Sequence, residues 1–175
     1  MADIRVEKTL RAIREAYLEE KKTKSIQEIK VYELCNRAMI NKSTFYKYYL
    51  DVYDLAEKVE EQTVKEIMDG CMDLSQLLTD TEAFLNEAAA ELSKNYELLA
   101  LIFDKRVERE TSVFEKYLLK KYLATSGSKQ EEMVIRFCIG GASRVMIYGG
   151  MSKESIALAR RMVIGIISKI KDFTA

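Results

Sequence analysis

The sequence predicts an all-helical protein, and three observations carry this prediction. The 175 residues contain no proline and only seven glycines, so the residues that usually punctuate strands, turns and long loops are nearly absent. Hydrophobic residues make up 48% of the chain, which is enough to bury a core. They recur mostly at spacings of three and four residues, the period of an amphipathic helix. We expect about nine helices: a three-helix N-terminal head, joined by a long fourth helix to a helical body.

The head is organised around residues 29–55. Apolar residues at helical spacing predict a short helix at residues 30–38, followed by a turn at Met39 and Ile40. A second short helix should begin after Asn41, which is a favoured N-cap residue. Two short helices joined by such a turn are typical of a helix-turn-helix DNA reader, whose second helix presents its N-terminal residues to base edges in the major groove.

The other helices follow from the same periodicity and from capping residues. Asp51 and Ser152 are suited to cap the long fourth helix and the last helix. The remaining helices are predicted at residues 5–22, 52–71, 79–93, 95–104, 107–124, 129–148 and 152–173. We therefore divide the chain into a helix-turn-helix DNA-binding domain at residues 1–50 and a helical body at residues 51–175.

Charge differs between these two parts. Residues 1–50 carry 11 Lys and Arg against 7 Asp and Glu, a net charge of +4, which leaves 17 against 21, or −4, for residues 51–175. A basic head suits a polyanionic partner, although a difference of this size also arises by chance.

Several function classes find no support in the sequence. The chain has no histidine, and Cys35, Cys71 and Cys138 are too far apart for zinc-finger spacing, so we expect buried cysteines, no metal and no cofactor. No phosphate-binding glycine loop or nucleophile motif is found, and carboxylates such as Glu108 and Glu110 alternate with basic residues as on a solvated helix face. We expect a non-enzymatic, soluble, cytoplasmic protein that does not associate with membranes, because no apolar window is long enough to cross a bilayer.

The head resembles the tetracycline-repressor (TetR) family of bacterial transcription regulators. The resemblance is carried by VYELCNRAMINKSTFYKYYLDVYDL, in which the second short helix and its aromatic residues lead directly into the fourth helix, and it extends over roughly residues 5–65. In the body, FCIGGASRVMIYGGMSKESI is similar to the glycine-containing helix, turn and Ser-x-Glu cap found late in many family members.

The resemblance implies a set of DNA contacts. Base edges would be contacted by Lys42, Ser43 and Thr44, and the DNA backbone by Lys30, Tyr32, Tyr46, Lys47 and Tyr48. The alternative for the aromatic residues of this segment is that they form the core of the head, and we expect this of Phe45 and Tyr49.

Three positions depart from the family pattern. Met39 stands where a glycine is usual, so the turn either avoids positive φ or carries of order 1 kcal/mol of strain. Lys30 stands where a threonine commonly caps the helix, and Val52 replaces a lysine that often contacts a phosphate. Together these departures bear on the strength of DNA binding and not on the fold.

The resemblance also implies an effector pocket and a dimer interface in the body, so that residues 51–175 would be a ligand-sensing and dimerisation domain. Large apolar residues would line the pocket: Met68, Met72, Phe84, Leu99, Phe103, Phe114 and Tyr117. The last two helices would form a two-fold interface through Phe137, Gly141, Val145, Tyr148, Ala159, Val163, Ile166 and Ile170. For both sets the alternative is ordinary packing within one chain.

The expected function is that of a homodimeric regulator, by expectation a repressor, on a palindromic DNA operator. An unidentified small molecule or partner protein bound by the body would control it. Two alternatives remain open: a co-regulator whose body binds a partner protein, and a helical-bundle ligand-binding protein or enzyme that has lost DNA binding.

Overall fold

The computed structural model describes residues 4–71, 76–104, 106–123, 128–150 and 152–169, and these ranges are helical with no strand. The helices are α1 (Ile4–Lys21), α2 (Val31–Arg37), α3 (Lys42–Tyr48), α4 (Val52–Cys71), α5 (Gln76–Thr79), α6 (Thr81–Lys94), α7 (Tyr96–Phe103), α8 (Val107–Leu123), α9 (Lys129–Tyr148) and α10 (Lys153–Ile167). The all-helical prediction is confirmed. Nine of these helices correspond to those expected, and α5 is an additional single turn.

Helix boundaries follow local capping chemistry. The carboxylate of Asp80 accepts a hydrogen bond from the N–H of Ala83 at 3.0 Å, which makes Asp80 the N-cap of α6 and separates α6 from α5. The predicted cap at Asp51 is confirmed, because its carboxylate accepts from the N–H of Asp54 at 2.9 Å. The expected end of the last helix at residue 173 lies outside the described residues.

The turn between α9 and α10 needs both of its glycines. Gly150 has φ of +63°, a conformation that side chains with a Cβ rarely adopt. A Cβ on Gly149 would lie 2.2 Å from the Cβ of Ser155, which is too close. Ser152 then caps α10 by accepting from the N–H of Ser155 at 3.2 Å, which confirms its predicted role.

The described chain forms two compact units. The first comprises the residues up to Thr63 together with those of the segment 97–104, so α7 belongs with the N-terminal helices. Its core includes Ile13 and Tyr17 of α1, and Ile102 and Phe103 of α7 are also fully buried.

An ion pair joins α1 to the end of α7 in this first unit. The ammonium of Lys21 lies 3.2 Å from the carboxylate of Asp104, and the Lys21 side chain is only 4% exposed. Asp104 itself has φ of +53°. The segment after α7 is therefore held to α1 by both charge and burial.

The second unit comprises the described residues from Val64 to Tyr96 and from Arg106 onward. Helix α9 packs against α8 and α10, and α10 also contacts α6. Cys138 and Ile167 form a small buried cluster, against which Val163 and Ile166 pack. Arg160 of α10 contacts Asn86 and Glu82 of α6 through its guanidinium group.

The division between the units falls inside α4, after Thr63. The predicted inward residues of this helix, Leu55, Val59, Val64, Ile67 and Met68, are all buried. The functional boundary at residue 50 stays a prediction, because compactness alone does not assign function.

Candidate nucleic-acid interface

Buried side chains fix the two short helices of the head. Leu34 of α2 and Phe45 of α3 are fully buried, and the ring centroid of Tyr49 lies 5.5 Å from that of Phe45. The connection is compact, since the N–H of Ile40 donates to the carbonyl of Cys35 at 2.9 Å. The predicted core role of Phe45 and Tyr49 is confirmed, and mainly polar or amphipathic side chains remain on the outer side of α3.

The start of α3 lies at the predicted position, with a different capping arrangement. Asn41 is the N-cap residue and has extended backbone geometry, but its side chain makes no cap hydrogen bond. Its carbonyl accepts from the N–H groups of Thr44 at 3.0 Å and Phe45 at 3.2 Å. The helix therefore begins through backbone bonds, without the side-chain cap that the sequence suggested.

The three candidate base-contacting residues differ in exposure. Lys42 and Ser43 are exposed at the first turn of α3, whereas Thr44 is half-buried. A helix that enters the major groove contacts bases with the residues of its first turns. The side chains of Lys42 and Ser43 are therefore more accessible to a bound molecule, whereas neighbouring residues restrict the Thr44 side chain more.

The candidate phosphate-contacting residues of α3 present amphipathic side chains. Tyr46 and Lys47 are exposed, and Tyr48 is half-buried. The ammonium of Lys47 lies 5.4 Å from the centroid of the Tyr48 ring, a cation–π distance. The C-terminal half of α3 thus presents one lysine and two phenolic hydroxyls, all of which can donate hydrogen bonds to phosphate.

An open cleft of about 420 Å³ gathers residues from three segments of the head. They come from the approach to α2, from α3 and from the start of α4: Ile26, Gln27, Ile29, Lys30, Val31, Tyr32, Lys42, Tyr46, Asp51, Val52 and Tyr53. Four of the predicted DNA-contacting residues therefore line one cleft, although they are up to sixteen positions apart in the sequence. The lining thus includes two lysines, three tyrosines and one aspartate.

Tyr53 is a cleft residue that the sequence reasoning did not assign to DNA contact. It is the second residue of α4, it is exposed, and its phenol lies among the predicted contacts. Core packing is the alternative interpretation of Tyr53, as it is for the other aromatic residues of this segment. The distinguishing signal is helical phase, because Val52 and Leu55 point inward and leave Tyr53 on the outer side.

A charged network links α2 to α1. Glu20 is buried and accepts from Arg37 at 2.8 Å and from Lys24 at 2.7 Å. Lys24 also contacts Glu33 at 3.0 Å. These hydrogen bonds from Lys24 and Arg37 hold the pKa of Glu20 below its ordinary value, and the hydrogen bond from Lys24 does the same for the pKa of Glu33.

The three departures from the family pattern have distinct structural outcomes. Met39 adopts φ of +54° and is 93% exposed, so the turn does carry the strained conformation. The Lys30 side chain does not cap α2, but the carboxylate of Glu33 accepts from the Lys30 N–H at 3.3 Å and supplies half of a capping box. Val52 is buried, so this position is used for packing.

The predicted effector-pocket residues are divided between the two units. Leu99 and Phe103 are buried and belong to the first unit, whereas Met68, Phe84, Phe114 and Tyr117 belong to the second. Met72 lies outside the described residues. The effector pocket stays a prediction. Burial within the first unit explains the apolar character of Leu99 and Phe103 without a bound ligand.

Tyr117 takes part in a polar cluster. Its hydroxyl donates to the carboxylate of Asp69, which also accepts from Lys121 at 2.8 Å and from Lys65 at 2.9 Å. The hydrogen bonds from Lys121, Tyr117 and Lys65 hold the pKa of Asp69 well below its usual range. No local pattern in the sequence indicates this cluster, because Asp69 and Lys121 are 52 positions apart.

The predicted dimer residues fall into two groups. Phe137 is 65% and Tyr148 is 85% exposed, and both lie on α9. By contrast, Ala159 is buried, and Val163 and Ile166 pack within the chain against the Cys138–Ile167 cluster. For these three residues, intrachain packing is the arrangement seen in the structure.

The remaining predicted dimer residues do not distinguish a dimer interface from packing within one chain. Gly141 and Val145 are half-buried, and Ile170 lies outside the described residues. Other apolar residues are also exposed on the same two helices: Met133, Ile147, Ile156, Leu158 and Met162. Together with Phe137 and Tyr148, they form what we call the α9–α10 apolar residues.

Burial partly corrects the interpretation of the acidic residues near α8. Glu108 is exposed as expected, but Glu110 is half-buried and desolvation raises the pKa of its carboxyl group. The cysteine interpretation is confirmed for Cys35 and Cys138, which are buried and free; burial raises the pKa of Cys138 to about 11. The side chain of Cys71 is outside the described part of the structure.

The described part of the chain shows neither a metal site nor a membrane-spanning helix. Within the described ranges, no group of three or more Cys, Asp and Glu residues is placed to hold a metal ion. None of the described helices has the length and apolar character to span a membrane.

No known family model matches the chain, and no curated protein matches its sequence.

Proposed function

We propose that this protein is a homodimeric, DNA-binding transcriptional regulator of the tetracycline-repressor type. The observation that carries the proposal is the cleft shared by Lys30, Tyr32, Lys42 and Tyr46 beside the exposed face of α3. Cations and phenolic donors around one groove suit a phosphate backbone, while Lys42, Ser43 and Thr44 at the adjacent helix start suit base edges.

Two-fold symmetry would let one protein read two half-sites. Each subunit places α3 in a major groove, and the half-site centres lie about 34–36 Å apart or at a multiple of that distance. The exposed α9–α10 apolar residues support self-association, because large apolar groups of this kind are usually covered in an assembly.

An effector or partner bound by the C-terminal body would control DNA binding. Helix α4 directly follows the three-residue connection after α3 and runs unbroken for 20 residues. A bound molecule that favours one orientation of α4 would shift the population between DNA-fitting and poorly fitting dimers. The regulator would act as a repressor where its operator overlaps a promoter.

Salt titration tests the DNA-binding function. Fluorescence anisotropy should show binding to random duplex at low salt, with affinity falling by about 10³-fold or more between 50 and 200 mM salt if six or more phosphates are contacted. Replacing Lys30 and Lys42 with serine should weaken binding and reduce the salt slope by about two units. Replacing Lys120 and Lys153, exposed lysines of α8 and α10, is the matched control.

The same titration separates the alternatives. Absence of duplex binding by the wild-type protein at low salt would contradict the regulator assignment and favour a helical ligand-binding protein. Equal losses in the cleft variant and in the control variant would place the DNA on another surface.

A further inference from the structure

The connection between α3 and α4 is three residues long and is closed by side chains of α4. Tyr49, Leu50 and Asp51 separate the two helices. The carboxylate of Asp54 accepts from the N–H of Leu50 at 2.9 Å, and the Asp51 carboxylate accepts from the N–H of Asp54 at the same distance. The backbone of the connection is thus fixed from the first turn of α4.

Lys58 reaches from the second turn of α4 to the end of α3. Its ammonium donates to the carbonyl of Tyr48, the last residue of α3, at 3.0 Å. It also donates to the carboxylate of Asp54 at 2.9 Å and lies 5.1 Å from the centroid of the Tyr49 ring. One cation therefore contacts the recognition helix, the connection and α4.

The Lys58 ammonium group therefore already has partners within the protein. An ammonium group has three N–H donors, of which two are directed at oxygen atoms of the protein while the group lies close to the Tyr49 ring. Lys58 is already neutralised by Asp54, whose pKa is lowered by the Lys58 hydrogen bond and by the Leu50 N–H. A direct phosphate contact would have to displace these partners.

The contact between Lys58 and the Tyr48 carbonyl lies at the C-terminus of α3. The last carbonyl groups of a helix have no partner within the helix, and a cation there also interacts favourably with the helix dipole. The Lys58 side chain is half-exposed, and exposed ion pairs contribute little to the free energy of folding. Its geometric effect, which is to hold the end of α3 at a fixed position relative to α4, is the larger consequence.

We propose that Lys58 is a positioning residue for DNA recognition, which acts through Tyr48 and Asp54 to set the orientation of α3 without contacting DNA. The inference rests on the proposed DNA-binding function. Because α3 carries Lys42, Ser43 and Thr44, a change in its orientation displaces the predicted base contacts. The loss should be greater for a preferred sequence than for random duplex.

The structure offers a closely matched control residue. Lys65 is also an α4 lysine, is also half-exposed or more, and also pairs with an aspartate four residues away at 2.9 Å. Its partner, Asp69, contacts Tyr117 and Lys121 of α8 rather than α3. Lys58→Met and Lys65→Met therefore remove equivalent charges from one helix, but only the first removes a contact with α3.

The experiment measures binding to duplexes that the wild-type protein selects from a random pool, and to random duplex, across a range of salt concentrations. We expect Lys58→Met to bind the selected duplexes about tenfold more weakly, a change of about 1.4 kcal/mol, with an unchanged salt slope and a smaller loss on random duplex. Lys65→Met should bind as the wild type does. Asp54→Asn should reproduce the Lys58→Met loss, and Lys58→Arg, which retains a donor for both oxygens, should restore most of it.

The contrary outcomes are distinct. Equal loss on all duplexes, with a salt slope shallower by about one unit, would show that Lys58 contacts a phosphate directly and would overturn the proposal. Unchanged selectivity in Lys58→Met, with a circular dichroism spectrum like that of Lys65→Met, would also overturn it. If the wild-type protein selects no duplex, the failure lies with the proposed DNA-binding function itself.

Discussion

Helix α3 and the pair α9–α10 both expose large side chains, but the chemistry of these side chains differs. On α3 the exposed aromatic residue is Tyr46, which carries a hydroxyl group and lies beside Lys42 and Lys47. On α9 and α10, Phe137, Met162 and most of their exposed neighbours are apolar throughout. Polar-tipped residues beside cations suit a polyanion, whereas apolar side chains gain free energy only when another apolar surface covers them. The chemistry of the first region therefore suits a polyanion, and that of the second suits a covering apolar surface.

The largest effect is expected where an exposed apolar residue acquires a charge. Phe137→Glu should abolish the dimer at micromolar concentration, because roughly 2 kcal/mol lost at each of two symmetric contacts corresponds to about a thousandfold change in the dissociation constant. Sedimentation should then show the 20.2 kDa mass of one chain. Tyr96→Glu, at an exposed aromatic residue of α7, is the control and should leave the dimer intact. An unchanged mass for Phe137→Glu would contradict the assignment of Phe137 to the interface.

On the α3 side, two substitutions should give different phenotypes. Thr44→Ala should relax sequence preference at one position by about 1–3 kcal/mol, because it removes a candidate base contact. Lys47→Ala should weaken binding to every duplex and reduce the salt slope by about one unit, because it removes a candidate phosphate contact. Anisotropy on selected and random duplexes measures both. Exchanged phenotypes would reverse our assignment of these two residues.

The strained turn should be improved by glycine. Met39→Gly should raise the free energy of unfolding by about 0.5–1 kcal/mol, because the positive φ costs a residue with a Cβ more than glycine loses in unfolded-chain entropy. Chemical denaturation measures this change. Asp104→Gly is the comparison at a similar φ of +53°, and it should be destabilising because it removes the partner of the buried Lys21. A less stable Met39→Gly would indicate that the exposed methionine stabilises the turn.

The smallest effect concerns pH. The pKa of Glu20 is lower in the folded protein than in the unfolded chain, so its stabilising contribution is present above the ordinary value of 4.5 and is lost as pH falls through the folded pKa. Unfolding measured between pH 7 and pH 3 should show a shallower loss of stability for Glu20→Gln than for the wild type. Glu7→Gln, at an exposed residue of α1, should follow the wild-type curve. Identical curves for all three proteins would exclude a role for Glu20 in acid sensitivity.

Much of the helical structure was predictable because its signals are local. The bounds of α4 follow from apolar periodicity together with the cap at Asp51, and those of α9 follow from apolar periodicity. Phe45 and Tyr49 are predicted as core aromatic residues of the head, and both are buried. The extra turn α5 was missed because the break at Asp80 depends on one side-chain hydrogen bond.

Long-range packing was less accessible from the sequence. Helix α7 is apolar on nearly every side, so its periodicity does not indicate which unit would bury Leu99 and Phe103. Val163 and Ile166 face α9 within the same chain, which depends on the rotation of α10 and not on composition. The contact between Lys58 and Tyr48 likewise depends on the angle between two helices, and the sequence spacing does not report that angle.

Selection of bound DNA from a random duplex pool tests the central claim most directly. If the protein is a dimeric DNA reader, the enriched sequences should contain two inverted half-sites whose centres lie about 34–36 Å apart or at a multiple of that distance. The Phe137→Glu variant should lose the paired pattern, and Thr44→Ala should retain it with relaxed preference at one position of each half-site. Recovery of no enriched sequence by the wild-type protein would contradict the account.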